Sequence, residues 1–166
     1  NIRTIDAIPL RLTAETEPIP ERLVVRGEIF LAKKELERIN NELAAAGKEP
    51  YANPRNLAAG TIRQLDPKIA ASRKLRFYAY DFLNAVGTHT QEYARLQSWG
   101  IPVNPEGVIA RSVAEINAFR DKVEKMRDAL AYEIDGIVVS LNDNVLYARA
   151  GYVGKAPRAA IAYKFS

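Results

Sequence analysis

Cysteine is absent from the 166 residues. That excludes disulfides and thiolate metal sites, and it agrees with a cytosolic setting. There is a single histidine, His89, at a loop-to-helix junction. A lone histidine excludes a His-rich metal centre and leaves no Ser/His pair at readable spacing, so a surface or capping residue is the plainer reading. No stretch approaches the roughly 18 consecutive apolar residues of a membrane helix. No basic-then-apolar leader points to secretion. Walker and GxGxxG loops are missing, as are repeats, low-complexity tracts and linkers.

What is present is the composition of a globular protein, 48% hydrophobic and 27% charged. The length fits one domain or a piece of a larger one. The chain opens on "NIRTIDAIPLRL" and stops at "AIAYKFS", inside an expected strand, and so reads as a piece of a longer protein. A net charge of +4 is mild and by itself predicts no nucleic-acid binding. The cations cluster, however: Arg55, Arg63, Lys68, Arg73, Lys74 and Arg76 fall close together. On charge alone, a solvated basic face is the plainer reading.

Periodicity divides the chain into interspersed strands and helices. Ile2, Ile5 and Ile8 mark a helical turn ended by Pro9, and "TAETEPIPE" is a loop. "RLVVRGEIFL" (Arg22–Leu31) is a strand with Arg26 and Glu28 on one face. Lys33–Ala46 is helical with Gly47 as its stop. "LRFYAYDFL" (Leu75–Leu83) is a strand whose simple alternation puts Arg76, Tyr78, Tyr80 and Phe82 on one face. Thr88–Trp99 is a helix. Ser112 and Glu115 form a capping box for a helix running to about Leu130. "YEIDGIVVSL" (Tyr132–Leu141) is a strand expected to be buried around Ile137–Val139. Asn144–Gly151 is a short helix, and Arg158–Phe165 a last, alternating strand. This order lacks the regular βα alternation of a doubly wound sheet. The fold class is therefore α+β, with mostly antiparallel sheets and peripheral helices.

The stretch "YANPRNLAAGTIRQLDP" (Tyr51–Pro67) is an unusual helix. Asn53 suits the cap and Pro54 the first helical position. Leu57, Ala58, Ile62 and Leu65 form its apolar side, and Pro67 closes it. Gly60 costs roughly 1 kcal/mol relative to alanine, which suggests close approach of the helix to a neighbouring element such as a sheet. Arg55 and Arg63 stand about 12 Å apart along an ideal helix and about 80° around it. Both can reach one phosphate path, near a helix N-terminus that favours anions.

Four further features suggest chemistry. Glu28 lies mid-strand in an apolar run, either as a ribose acceptor or as a solvent-facing residue. Asp135-Gly136 interrupts an apolar strand, either as a bulge or as a place for close backbone or ligand approach. Lys164 follows an alternating small/aromatic run and is expected to have a buried stem, so a desolvated ammonium there needs an anion such as phosphate. Tyr80 could stack on a base or belong to the core. Together they fit a nucleotide site on antiparallel sheets.

The ordered blocks "VRGEIFL", "YANPRNLAAGTIRQLDP", "RFYAYDFL", "YEIDGIVVSLN" and "GYVGKAPRAAIAYKF" closely resemble the adenylation domain of bacterial NAD-dependent DNA ligases. The resemblance covers nearly the whole chain. It implies a nucleotidyltransferase fold of the DNA ligase and mRNA-capping type, incomplete at its N-terminal side, with residues 1–166 as a partial adenylation domain. It implies NAD and Mg²⁺ as cofactors and three transfers at phosphorus. A lysine takes AMP from NAD, AMP moves to the 5′-phosphate at a nick, and the 3′-hydroxyl displaces it. The implied setting is bacterial, cytoplasmic and nucleoid-associated, in DNA repair and replication. The implied partners are nicked double-stranded DNA, an upstream nicotinamide-binding domain and downstream DNA-binding modules, with no membrane.

Residue by residue, the resemblance matches Glu28 to the glutamate that holds the AMP ribose and Tyr80 to the aromatic on adenine. It matches Val138 to an apolar contact on the base and Lys164 to the lysine that contacts the α-phosphate. Arg55, Arg63 and Arg127 match arginines that handle AMP and nick phosphates. There are departures. The nucleophile belongs to a K-x-D-G motif, but the chain's only Asp-Gly is Asp135-Gly136, preceded two residues back by Glu133. Ser140 stands where a phosphate-binding lysine is usual, with Lys155 as a candidate substitute. Ala159 stands where a bulky aromatic is common, which predicts looser packing near Lys164. Two other readings stay open: a catalytically inactive nucleotide or nucleic-acid binding fragment, and an ATP-dependent ligase or capping relative, against which the "NPRN…RQLDP" block argues.

Overall fold

The two longest alternating runs pair with each other. In the computed structural model, which describes residues 1–14, 17–83 and 85–165, β1 (Val25–Phe30) and β2 (Arg76–Phe82) form an antiparallel sheet. The expected loop at 13–21 falls partly outside the described residues. Glu28 stands opposite Tyr78, and Ile29 opposite Phe77. The register then breaks once: Gly27 faces Ala79 but Arg26 faces Asp81. Tyr80 is thus the extra residue of a β-bulge.

This bulge corrects the simple alternation. Phe82 does not share Tyr80's face. It is buried, its ring 5.7 Å from that of Trp99, while Tyr80 is 48% exposed. The extra residue shifts side-chain parity by one, so Phe77, Ala79 and Phe82 all contribute to the apolar side. That side carries two core clusters. One joins Ile5, Leu31, Ile39, Leu57, Ala58 and Leu75; the other joins Ala79, Phe82, Leu96, Trp99, Ile101 and Val103. Phe77 packs against both.

Three helices follow from local sequence. α1 (Lys33–Ala45) ends at Gly47, whose φ is +66°. α2 (Pro54–Ile62) starts where Asn53 accepts hydrogen bonds from the Arg55 and Asn56 amides, with Pro54 at its first position. A cap of this kind contributes about 1 kcal/mol. Leu57, Ala58 and Thr61 are buried against β1. The expected apolar side stops short, because the helix ends at Ile62 and Leu65 is fully exposed. Pro67 also does not close a helix. It opens α3 (Pro67–Ser72), where Asp66 accepts from the Lys68 amide. The fixed φ of proline suits a first helical turn as well as a stop, and the capping Asp66 decides between them.

The second half is built around another ribbon. α4 (His89–Ser98) has a full capping box of Thr88 and Gln91. α5 (Val113–Met126) is capped by Ser112, but the Glu115 carboxylate accepts from the Arg111 amide instead of closing the box on Ser112. It ends four residues before the expected Leu130. β3 (Gly136–Ser140) pairs antiparallel with β6 (Ala160–Lys164). Between them lie α6 (Asn144–Ala150) and a small hairpin that periodicity misses, β4 (Tyr152–Val153) with β5 (Ala156–Pro157). Strands of two residues are too short to show a period. α5 covers one face of β3, leaving Val138 on the other, 72% exposed. The expected burial around Ile137–Val139 is therefore not met: Val138 is exposed, and Ile137 and Val139 are only half-buried. A two-stranded ribbon covered on one side buries only alternate residues.

The halves are joined at α4. The His89 amide donates to Asn142 O at 2.7 Å and the Thr90 amide to Asn142 Oδ1 at 3.0 Å. His89 is more than a surface cap, since its Nδ1 lies 2.6 Å from Oε2 of the buried Glu92.

Two glycines give opposite expectations. A Cβ on Gly136 would lie 2.5 Å from Tyr163 O and 2.8 Å from Lys164 Cα. Backbone cannot give way as a side chain can, so Gly136→Ala should cost about 1–3 kcal/mol. Gly60 has no atom within 4 Å of such a Cβ and no positive φ. Gly60→Ala should stabilise by about 0.5–1 kcal/mol. Urea unfolding of both variants checks the pair; a stable Gly136→Ala protein would refute the close approach.

Candidate functional site

α2 crosses β1 and leaves a groove of about 310 Å³ beside it. Glu28, Ile29, Arg55, Ala58, Ala59, Ile62 and Arg63 line it. Arg55 comes from the first turn of α2 and Arg63 from its C-cap. The alanines between them are small, which keeps the floor open. Among the described residues, neither guanidinium has a carboxylate partner. Two cations line one groove, one of them beside a helix N-terminus, a setting that favours an anion, and the Glu28 carboxylate shares the same lining. The expected reason for Gly60 does not hold within the chain, since nothing packs against it.

The β3–β6 ribbon supplies a second set. Its register pairs Gly136 with Lys164, Val138 with Ala162 and Ser140 with Ala160. Side chains alternate along strands, so Val138, Ser140 and Lys164 share one face. Gly136 is the reason the strands can approach so closely there. Lys164 Nζ donates to Asp135 Oδ2 at 2.6 Å, and the Asp135 carbonyl accepts from the Phe165 amide at 2.9 Å. The expected desolvated lysine is corrected: the Lys164 side chain is 60% exposed, because no third layer covers this face. Its anion is Asp135.

Asp135 links the two sets. The hydrogen bond from Lys164 holds its carboxyl below the usual carboxylate range, and the positive charge of Arg55 acts in the same direction. Arg55 thus belongs both to the groove and to the surroundings of the ribbon pair.

The remaining candidates are placed as follows. Tyr80 projects from the bulge of β2, two residues from Tyr78, the cross-strand partner of Glu28. It is not a core residue. Ser140 is half-buried, its hydroxyl donating to Leu141 O at 3.4 Å. Lys155 occupies the exposed turn of the β4–β5 hairpin. Ala159 is buried, its carbonyl accepting from the Leu141 amide. Arg127 is not part of the groove. It caps the C-terminus of α5, its Nε 3.7 Å from Asp128, and its carbonyl accepts from Lys33 Nζ at 3.0 Å.

Sequence reasoning missed Asp135 as the partner of Lys164, and it missed the Arg26–Asp81 ion pair flanking Tyr80. The signal for the second was available only in part, since Arg26 and Asp81 are opposite charges on two expected strands whose pairing the sequence left open.

An adenylate needs a hydroxyl acceptor, an aromatic or apolar face and cations for phosphate, and these residue types are at hand. A protein-held divalent ion is a poorer fit. Among the described residues, no group of three or more His, Asp or Glu could hold a metal, and Asp135 is already paired. No helix among them is long and apolar enough to cross a membrane.

The family model described as NAD-dependent DNA ligase adenylation domain matches residues 1–166. A protein named DNA ligase from Gluconacetobacter diazotrophicus is 44% identical over 169 residues, an alignment that covers 99% of this chain and 24% of that protein. The chain thus spans about a quarter of the length of the curated relative it matches.

The ion pair has a measurable consequence. Because the folded-state pKa of Asp135 is depressed, any stability from the pair is present above the ordinary aspartate range. It is lost as pH falls through the depressed value, and both side chains are exposed enough for salt to screen it. An NMR titration should give Asp135 a midpoint below that of an ordinary aspartate, and Lys164→Met should raise it. An unshifted midpoint in the unaltered protein would contradict the pair.

Proposed function

The chain belongs to the NAD-dependent DNA ligase adenylation-domain family, and we propose that it is the AMP- and phosphate-handling part of an enzyme that seals nicks in duplex DNA. The observation that carries this reading is the groove lined by Glu28, Arg55 and Arg63, in which neither arginine forms an ion pair among the described residues. Residues 1–166 are a partial adenylation domain of the nucleotidyltransferase fold in this reading. The nucleophilic lysine of a K-x-D-G motif is supplied from elsewhere in the parent protein, so the 166 residues alone are inactive. A nicotinamide-binding domain and DNA-binding modules also belong to that protein, consistent with the short share of the relative that is covered.

In this reading Glu28 accepts a hydrogen bond from an AMP ribose hydroxyl. Tyr80 lies on one side of the adenine, and the exposed Val138 meets it as an apolar contact. Lys164 exchanges Asp135 for the α-phosphate, or shares itself between the two. Arg55 and Arg63 neutralise phosphate charge as it shifts during transfer, the term on which such catalysis chiefly rests. Arg127, set apart from the groove, is assigned to the nicked DNA. NAD supplies the AMP group. Mg²⁺, also implied by the family resemblance, has phosphate oxygens and water as its natural ligands here. The working location is the bacterial cytoplasm, at the nucleoid.

A second reading is favoured by one residue. Ser140 puts a neutral hydroxyl on the strand face where the family usually has a lysine. A catalytically inactive nucleotide or nucleic-acid binding protein would tolerate that change.

The test is covalent labelling. The full-length protein carrying this chain is incubated with NAD radiolabelled in its AMP half. A labelled AMP–protein band is expected, and its absence from a folded protein would sink the ligase reading in favour of the second. Arg55→Ala and Arg63→Ala should each lower nick sealing by about 100-fold while leaving the melting temperature unchanged. Loss of folding in either variant would assign that arginine a structural role. Ser140→Lys should raise labelling; no change would mean that the missing cation is already compensated.

A further inference from the structure

Tyr80 is held by its neighbours. On one side Ala79 is 1% exposed, and its amide donates to Pro102 O at 2.8 Å in a parallel bridge with Val103. On the other side Asp81 pairs across the sheet with Arg26. Beyond it the Leu83 amide donates to Val24 O at 2.9 Å. Tyr80 is the residue between these anchors that has no cross-strand partner in the ladder.

Two registers compete for this segment. Extending the pairing of Glu28 with Tyr78 and Gly27 with Ala79 without a break would set Arg26 opposite Tyr80 and Val25 opposite Asp81. That alternative turns Asp81 toward the apolar side and Phe82 away from it, because a one-residue slip exchanges faces. The observed register instead buries Phe82 beside Trp99 and sets Asp81 against Arg26. The pair is partly exposed, with side-chain accessibilities of 49% and 26%. Ion pairs so exposed contribute little to global stability. What this one distinguishes is the local register. Gly27 allows the break from the opposite strand: a Cβ there would lie 2.2 Å from the Phe77 ring and 2.6 Å from Tyr78 O.

We propose that the Arg26–Asp81 ion pair is a positioning element that fixes the bulge and so sets the Tyr80 ring for stacking on the nucleotide base. Neither residue touches the base; they act through Tyr80. The inference rests on the reading of Tyr80 given under Proposed function.

A mutant cycle separates the two claims, read as the dissociation constant for AMP of the full-length protein by calorimetry. Tyr80→Ala should weaken AMP binding about tenfold, in the range for a base–aromatic stack. Asp81→Asn should weaken it about fivefold, a coupling usual between neighbours, with an unchanged melting temperature. In the Tyr80→Ala background, Asp81→Asn should have no further effect. Arg26→Lys, which keeps the charge, should bind AMP nearly as the unaltered protein does. Wild-type affinity in Asp81→Asn would overturn the proposal. So would a fivefold loss that persists in the Tyr80→Ala background, since a merely structural effect does not need the ring. An unchanged affinity in Tyr80→Ala alone would remove the stacking reading itself, and the positioning role with it.

Discussion

The single break in the β1–β2 register is the constraint on which the rest of the structure depends. Without it, β2 could not bring Phe82 into the second core cluster. Phe77 and Ala79 point inward by ordinary alternation, but Phe82 reaches the core around Trp99 only because Tyr80 adds one residue. The same residue that repairs the packing is pushed toward solvent. Core packing therefore dictates which side chain is left projecting. Burying a phenylalanine contributes about 1.5–3 kcal/mol, and a slip that exposed it would forfeit most of that. The projection of Tyr80 is thus secured by energy spent on Phe82.

The candidate site draws on two sheets that share no strand. α2 packs on β1 through Leu57, Ala58 and Thr61, and this packing places Arg55 and Arg63 at opposite ends of one groove with Glu28. The β3–β6 ribbon presents Val138, Ser140 and Lys164 on its uncovered face. The polar groups in both sets are largely exposed, so their pairing in the protein alone is weak and readily exchanged. That suits a surface whose charges are to be satisfied by phosphate. The Lys164–Asp135 contact occupies a cation that, in the proposed function, a phosphate would share. The backbone amides of His89 and Thr90 fasten the start of α4 to Asn142, tying the two halves together.

Much of this was legible in the sequence. Element types followed from periodicity and caps: Asn53 and Pro54 open α2, and Ser112 opens α5, as expected. The antiparallel α+β class followed from strand order. Glu28 was singled out apart from the Arg55 and Arg63 pair, and all three lie on one groove. The failures have specific causes. The bulge at Tyr80 is a tertiary adjustment in which Phe82 outbids regular alternation. Pro67 can end or begin a helix, and the capping Asp66 was not weighed. The burial of Val138 and Lys164 was inferred from neighbouring apolar residues, yet a two-stranded ribbon offers cover on one face only. Arg127 lies close in sequence to β3 but is directed by the end of α5 to Asp128.

The central claim is that the groove and the ribbon face form one nucleotide site. A crystal structure of the full-length protein with AMP tests it most directly. Expected is an adenine stacked on Tyr80 and touching Val138, a ribose hydroxyl hydrogen-bonded to Glu28, and a phosphate beside Lys164 and the groove arginines. An adenine bound away from Tyr80, with Glu28 making no ribose contact, would contradict it.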